Sequence, residues 1–179
     1  MKKTSFVLLA LLVVMSGAEP AHAQQASPAD LTTVLNYVGI SDRLTTAGQI
    51  DYDQVPLLRE EGYEVVVNLA TAQERNSLEG FHVTSSGMTY IHIPVEWERP
   101  LLSDVRMFFD VMEANQGRKV FVHCIANMRA SAFVYMYRTL IEGVSDEEAR
   151  EDMDAVWDPG QLGQWAELIE SAQREFGGA

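Results

Sequence analysis

Val65-Val66-Val67-Asn68-Leu69 is apolar at consecutive positions, so a strand built from it must be covered on both faces. Lys119-Val120-Phe121-Val122-His123 has the same character. Central strands of this kind demand a parallel-centred sheet with helices on each side, and the rest of the chain supplies them. Helices are expected over 53–61, closed by Gly62, over about 72–80, and over 102–115, where Val105, Phe108, Phe109 and Met112 recur at helical spacing before Gln116-Gly117. A long helix is expected from Ser131 to Glu142. Ser145-x-x-Glu148 is a capping box that opens another, and Trp157, Pro159 and Gly160 precede a last one through Trp165 and Ile169. Near the start, Ser27-Pro28 followed by Leu31, Val34, Leu35 and Val38 predicts a helix closed by Gly39. Ile40–Leu44 reads as an edge strand, Thr45–Gln49 as a turn, and Tyr90–Val95 as a further strand. The fold class is α/β, a small parallel-centred sheet flanked by helices in a single domain.

The first residues stand apart from that domain. Lys2 and Lys3, the apolar run Phe6–Met15 and the triplet Ala21-His22-Ala23 have the order of a secretory signal, so residues 1–23 are expected to be removed and 24–179 exported, with the periplasm as the expected compartment. No stretch reaches the roughly 18 apolar residues of a membrane span, and a net charge of −13 repels nucleic acid phosphates and anionic lipid. A monomer is expected. Cys124 is the only cysteine, which excludes a disulfide framework and a multi-thiolate zinc site. His82 and His92 have no partner at metal-ligand spacing, and neither a metal nor another cofactor is expected.

The chemistry concentrates where the strand ending at His123 runs into a helix through Cys124, Ile125, Ala126, Asn127, Met128, Arg129, Ala130 and Ser131. A loop in that position turns backbone N–H groups and a helix N-terminus towards one point, which favours an anion there. The same field, with Arg129, favours a thiolate at Cys124, the form that acts as nucleophile. His123 is expected to position the loop rather than act as a base, because successive strand residues point to opposite faces. In an oxidising compartment one accessible, activated thiol would also be open to peroxide.

This segment resembles the cysteine-dependent protein tyrosine and dual-specificity phosphatases, whose signature is His-Cys, five residues, Arg, then Ser or Thr. Within them it is similar to small bacterial phosphatase-like domains related to the beta-lactamase-hydrolase-like phosphatases. Ser41–Gln49, Gly62–Asn68 and Ile93-Pro94-Val95 extend the likeness, which covers about residues 40–142. It implies a phosphatase-like fold, attack by Cys124 on a phosphate monoester of a protein or small molecule, an anion held by Arg129 and the amides of 125–131, and a leaving-group acid from the Pro-bracketed loop, Glu98 or Glu96. Only four residues separate Cys124 from Arg129. Either the loop is one residue short and Arg129 closes it, as in rhodanese-type sulfurtransferases and some of those small bacterial domains, or the loop keeps its length with Asn127 at a left-handed turn, Ser131 in register, Ala130 at the arginine site and Arg129 one place early. A sulfurtransferase acting on a sulfur oxyanion, or a non-catalytic anion-binding or partner-binding relative, would use the same cradle.

Overall fold

The computed structural model describes residues 30–178; residues 1–23, expected to be a secretory signal, lie outside them. Five strands form one sheet: β1 (Val38–Ser41), β2 (Leu44–Ala47), β3 (Val65–Asn68), β4 (Thr89–His92) and β5 (Val120–His123), in the order β1-β2-β5-β3-β4. β1 and β2 are antiparallel, while β2, β5, β3 and β4 run parallel, so Ala47, His123, Asn68 and His92 end in register on one edge. Ligand sites of open parallel sheets lie beyond that carboxyl edge. Six helices complete the domain: α1 (Val55–Glu60), α2 (Glu74–Ser85), α3 (Leu102–Ala114), α4 (Met128–Leu140), α5 (Asp146–Asp154) and α6 (Gly163–Phe176).

The doubly apolar strands explain the layering. Val65, Val67, Val120 and Val122 face a core closed by α3, α4, α5 and α6, while Val66 and Phe121 face a second core under α1 and α2. Each fully buried side chain of this size contributes about 1.5–3 kcal/mol. β5, between β2 and β3, is thereby fixed from both faces and both edges.

Three expectations are corrected. Of the helix expected over 28–38, the described residues from Asp30 onward form only a 3-10 turn at Leu31–Thr33, because Asn36 turns left-handed (φ 51°) and Val38 pairs with Thr46. Thr45-Thr46-Ala47, read as a turn, is buried strand. Its hydroxyls find interior partners, with Thr45 bonded to the Tyr63 hydroxyl at 2.6 Å and Thr46 accepting from Asn127 Nδ2 at 3.0 Å. α4 starts at Met128 rather than Ser131, directly after the loop.

Beneath the carboxyl edge lies a fully buried carboxylate, Glu79 of α2. It accepts from Gln49 Nε2 (2.5 Å) and Asn68 Nδ2 (3.0 Å) and pairs with His123 Nε2 (2.8 Å). The other ring nitrogen of His123 faces the Cys124 carbonyl at 3.4 Å. Burial raises the Glu79 pKa, but the hydrogen bond and electrostatic attraction of His123, with the Gln49 and Asn68 donors, hold it below the ordinary value of 4.5. The network joins the β2, β3 and β5 ends to α2, and satisfied networks of this kind fix one geometry.

A depressed carboxyl contributes stability that is complete above the unfolded-state value and disappears as pH falls through the folded one. Glu79→Gln should therefore cost about 1–3 kcal/mol at pH 7. In urea titrations the gap to the parent should close below pH 4.5. A gap independent of pH would mean that the charge on Glu79 contributes nothing.

Candidate active site

The loop after β5 is built by one backbone decision. Asn127 lies at φ 64°, ψ −7°, and α4 starts at the next residue with no side chain capping it. Among the described residues, the amides of Ile125, Met128, Arg129 and Ala130 meet no acceptor. The first-turn amides of a helix are unpaired in the backbone ladder, and because α4 starts four residues after Cys124 the positive end of its dipole belongs to this loop. Ser131 closes the turn, its amide reaching Asn127 O at 2.8 Å and its hydroxyl donating to Met128 O at 3.2 Å. Ala126 is only half-buried, and Ile125 is 43% exposed on the rim.

Arg129 is buried, with 8% of its surface exposed. Its Nε donates to Val95 O at 2.9 Å and a terminal nitrogen donates to Thr71 Oγ1 at 3.0 Å, while the guanidinium lies 5.3 Å from the Trp97 ring centroid. Trp97 packs against Trp157 and Trp165, and Trp157 Nε1 donates to Met128 O at 2.9 Å. Arg129 thus ties the first turn of α4 to the loops after β3 and β4. The geometry combines features of both loop alignments: Asn127 makes the left-handed turn, and the early arginine still spans from the loop to its surroundings.

Cys124 is 1% exposed and packs in the same core cluster as Val95 and Ala130. The open, peroxide-accessible thiol expected from the sequence is not offered by this conformation, because the loop folds down onto the core between β5 and α4. His123 is fully buried and engaged with Glu79. Glu96 and Glu98 are both exposed. Glu98 lines a depression with Arg99, Leu101, Gln164 and Ser171 that includes no residue of the Cys124 loop. Glu96 sits between Val95 and Trp97, the two loop residues that Arg129 touches.

A depression of 470 Å³ lies at the opposite end of the strands, lined by Arg43, Arg118, Tyr137 and Arg138 among others. Arg118 is engaged by Asn115 and the Glu64 carbonyl, and Arg138 by Asp152 and Glu148. That depression is remote from the loop, so the concave shape there does not mark the chemistry. No group of three or more metal-ligating side chains occurs among the described residues, and no helix among them is long and apolar enough to cross a membrane.

Sequence reasoning singled out the loop but missed Glu79 and Asn36. Glu79 was findable: Asn76, Glu79 and Val83 share the buried stripe of α2, and a carboxylate there requires donors. Asn36 left no signal beyond its residue type.

Comparison with known proteins agrees with this architecture. A DUF442 phosphatase candidate from Shewanella putrefaciens CN-32 is 32% identical, with 82% of this chain and 94% of that one aligned at a TM-score of 0.73. P. aeruginosa TpbA shares the fold at 18% identity, covering 83% and 94% of the two chains with a TM-score of 0.63. The beta-lactamase hydrolase-like protein of Agrobacterium fabrum is 33% identical over 98 residues, 52% of this chain, which spans only 22% of that longer protein. The family model described as DSP-PTPase phosphatase fused to NAD+ kinase matches residues 36–167. Fold and family together support a phosphoric monoester hydrolase, and the chain belongs to that DSP-PTPase family.

Proposed function

We propose that the protein is an exported, cysteine-dependent phosphatase acting on phosphate monoesters of a phosphoprotein or a small molecule. The observation that carries this reading is the set of acceptor-free amides at Ile125, Met128, Arg129 and Ala130 next to the only thiol of the chain. Such an arrangement stabilises the spreading negative charge of a transferring phosphoryl group without reorganisation. The Cys124 thiolate attacks phosphorus, the bond to the leaving oxygen breaks, and a protonated carboxyl of the loop after β4 gives that oxygen its proton. Water then attacks the cysteinyl-phosphate, the carboxylate takes up the proton, and the thiolate leaves as phosphate departs. Arg129 supplies fixed positive charge at the loop, and His123 with Glu79 keeps the end of β5 in place.

Glu96 is the better-placed acid, since its two neighbours contact Arg129 while Glu98 lies along the depression towards α6. Export rests on Lys2, Lys3, the Phe6–Met15 run and Ala21-His22-Ala23, and periplasmic release of a processed monomer beginning at Gln24 is its expected form.

Intact mass spectrometry after rapid quenching should show a phosphoryl adduct on Cys124 with an aryl phosphate and no persulfide with thiosulfate. The reverse pattern would make the protein a sulfurtransferase, and no adduct with either would make it a binding protein.

The acid assignment is tested by leaving-group dependence. Glu96→Gln should slow turnover of alkyl phosphates by about 10²–10⁴ and hardly affect nitrophenyl phosphate, whose leaving group departs without a proton. Glu98→Gln should alter neither, and the opposite result would transfer the role to Glu98.

A further inference from the structure

Only two non-glycine residues of the described chain have positive φ, Asn36 (51°) and Asn127 (64°), and they are bonded to each other across 91 positions of sequence. Asn127 Nδ2 donates to Asn36 O at 2.6 Å, and Asn36 Nδ2 donates to Ala126 O at 3.0 Å. The contact is reciprocal: each side-chain amide holds a carbonyl on the opposite segment. The segment that carries Asn36 is itself anchored. Its turn closes with Tyr37 N donating to Val34 O at 3.1 Å, and Leu35 O accepts from Gly48 N at 2.7 Å. The next residue, Gln49, donates its amide to Ile125 O at 3.0 Å. Gly48 fills this crossing so closely that a Cβ there would lie 2.8 Å from Leu35 O and 3.0 Å from Ile125 O.

We infer that Asn36 is a positioning residue for the phosphoryl-binding loop, acting through the Ala126 carbonyl and the Asn127 side chain and not by touching the anion. The inference rests on the phosphatase reading for its substrate, and on the loop geometry alone for its physics.

A trans peptide carries its carbonyl and its N–H on opposite sides, so rotating one peptide plane exchanges a donor for an acceptor. Within an anion cradle such a rotation would turn a negative oxygen towards bound phosphate. The carbonyls of Ile125 and Ala126 are both held by donors from outside the loop, Gln49 N and Asn36 Nδ2. The two peptide planes they fix carry the amides of Ala126 and Asn127, the links between Cys124 and the first turn of α4, so neither carbonyl is free to turn inward among the cradle amides on either side. A left-handed asparagine also costs conformational energy that the surroundings must offset. Asn127 recovers it through two acceptors, Asn36 O and Thr46 Oγ1. Thr46 lies in β2 within the sheet, so Asn36 supplies the part of the support that comes from outside the sheet.

The test separates the backbone from the side chain. Asn36→Gly keeps the left-handed turn and the carbonyl that Asn127 bonds, and it removes only the donor to Ala126 O. Asn36→Asp keeps the shape and places a carboxylate against that carbonyl. Orthovanadate affinity by competition and kcat/KM for nitrophenyl phosphate would be measured on the exported protein well below the melting midpoints, which are recorded alongside. Asn36→Gly should bind vanadate about tenfold more weakly and lose kcat/KM in proportion, as expected for one hydrogen bond, with a melting midpoint near that of the parent. Asn36→Asp should be weaker still, and it carries the same reading if the glycine variant does not fold. Vanadate affinity within twofold of the parent in a folded variant would overturn the inference. A parent that binds vanadate without turning over the ester would refute the phosphatase reading and leave Asn36 to be judged on affinity alone.

Discussion

Asn127 turns the chain from the central strand into the buried helix α4 at φ 64°, and this turn sets the direction of the first-turn amides of that helix. It allows α4 to start at Met128, one turn before the point suggested by hydrophobic spacing, and leaves the first-turn amides without acceptors among the described residues. It also places Arg129 in that turn, where a side chain four residues after Ile125 reaches Val95 and Thr71. The short spacing between Cys124 and Arg129 is thus compatible with an intact cradle, because the arginine is supported by neighbouring loops.

The turn can persist because β5 is immobilised beneath it. Its apolar residues alternate between two cores, its neighbours β2 and β3 pair with it on both edges, and its last residue, His123, is bonded to a buried carboxylate. A charge with no solvent contact is tolerated only when donors surround it, and Gln49, Asn68 and His123 do so for Glu79. The Trp97, Trp157 and Trp165 cluster plays the corresponding part on the other side, carrying the packing of α6 to the loop that holds Glu96.

The sheet class and the strand-to-helix junction that holds the candidate site were legible because they follow from local pattern: consecutive apolar residues at Val65–Val67 and Val120–Val122, and a thiol with polar neighbours after the second run. What was not legible depends on partners far away in sequence. Thr45 and Thr46 look like turn residues until Tyr63 and Asn127 are placed beside their hydroxyls. Leu31, Val34 and Val38 keep helical spacing, yet Asn36 breaks the helix to reach Ala126, and no periodicity encodes a contact across 90 positions. The burial of Cys124 was likewise not encoded locally, since it depends on the core, shared by β3, β5 and four helices, in which the thiol is packed.

Whether the segment from Cys124 to Ala130 cradles an oxyanion is decided by a crystal structure of the protein soaked with tungstate. One tungstate is expected above Cys124, within hydrogen-bond distance of the amides of Ile125, Met128, Arg129 and Ala130, with Asn127 still left-handed. Tungstate bound only elsewhere, or a loop whose carbonyls turn inward while the site stays empty at saturating anion, would contradict it.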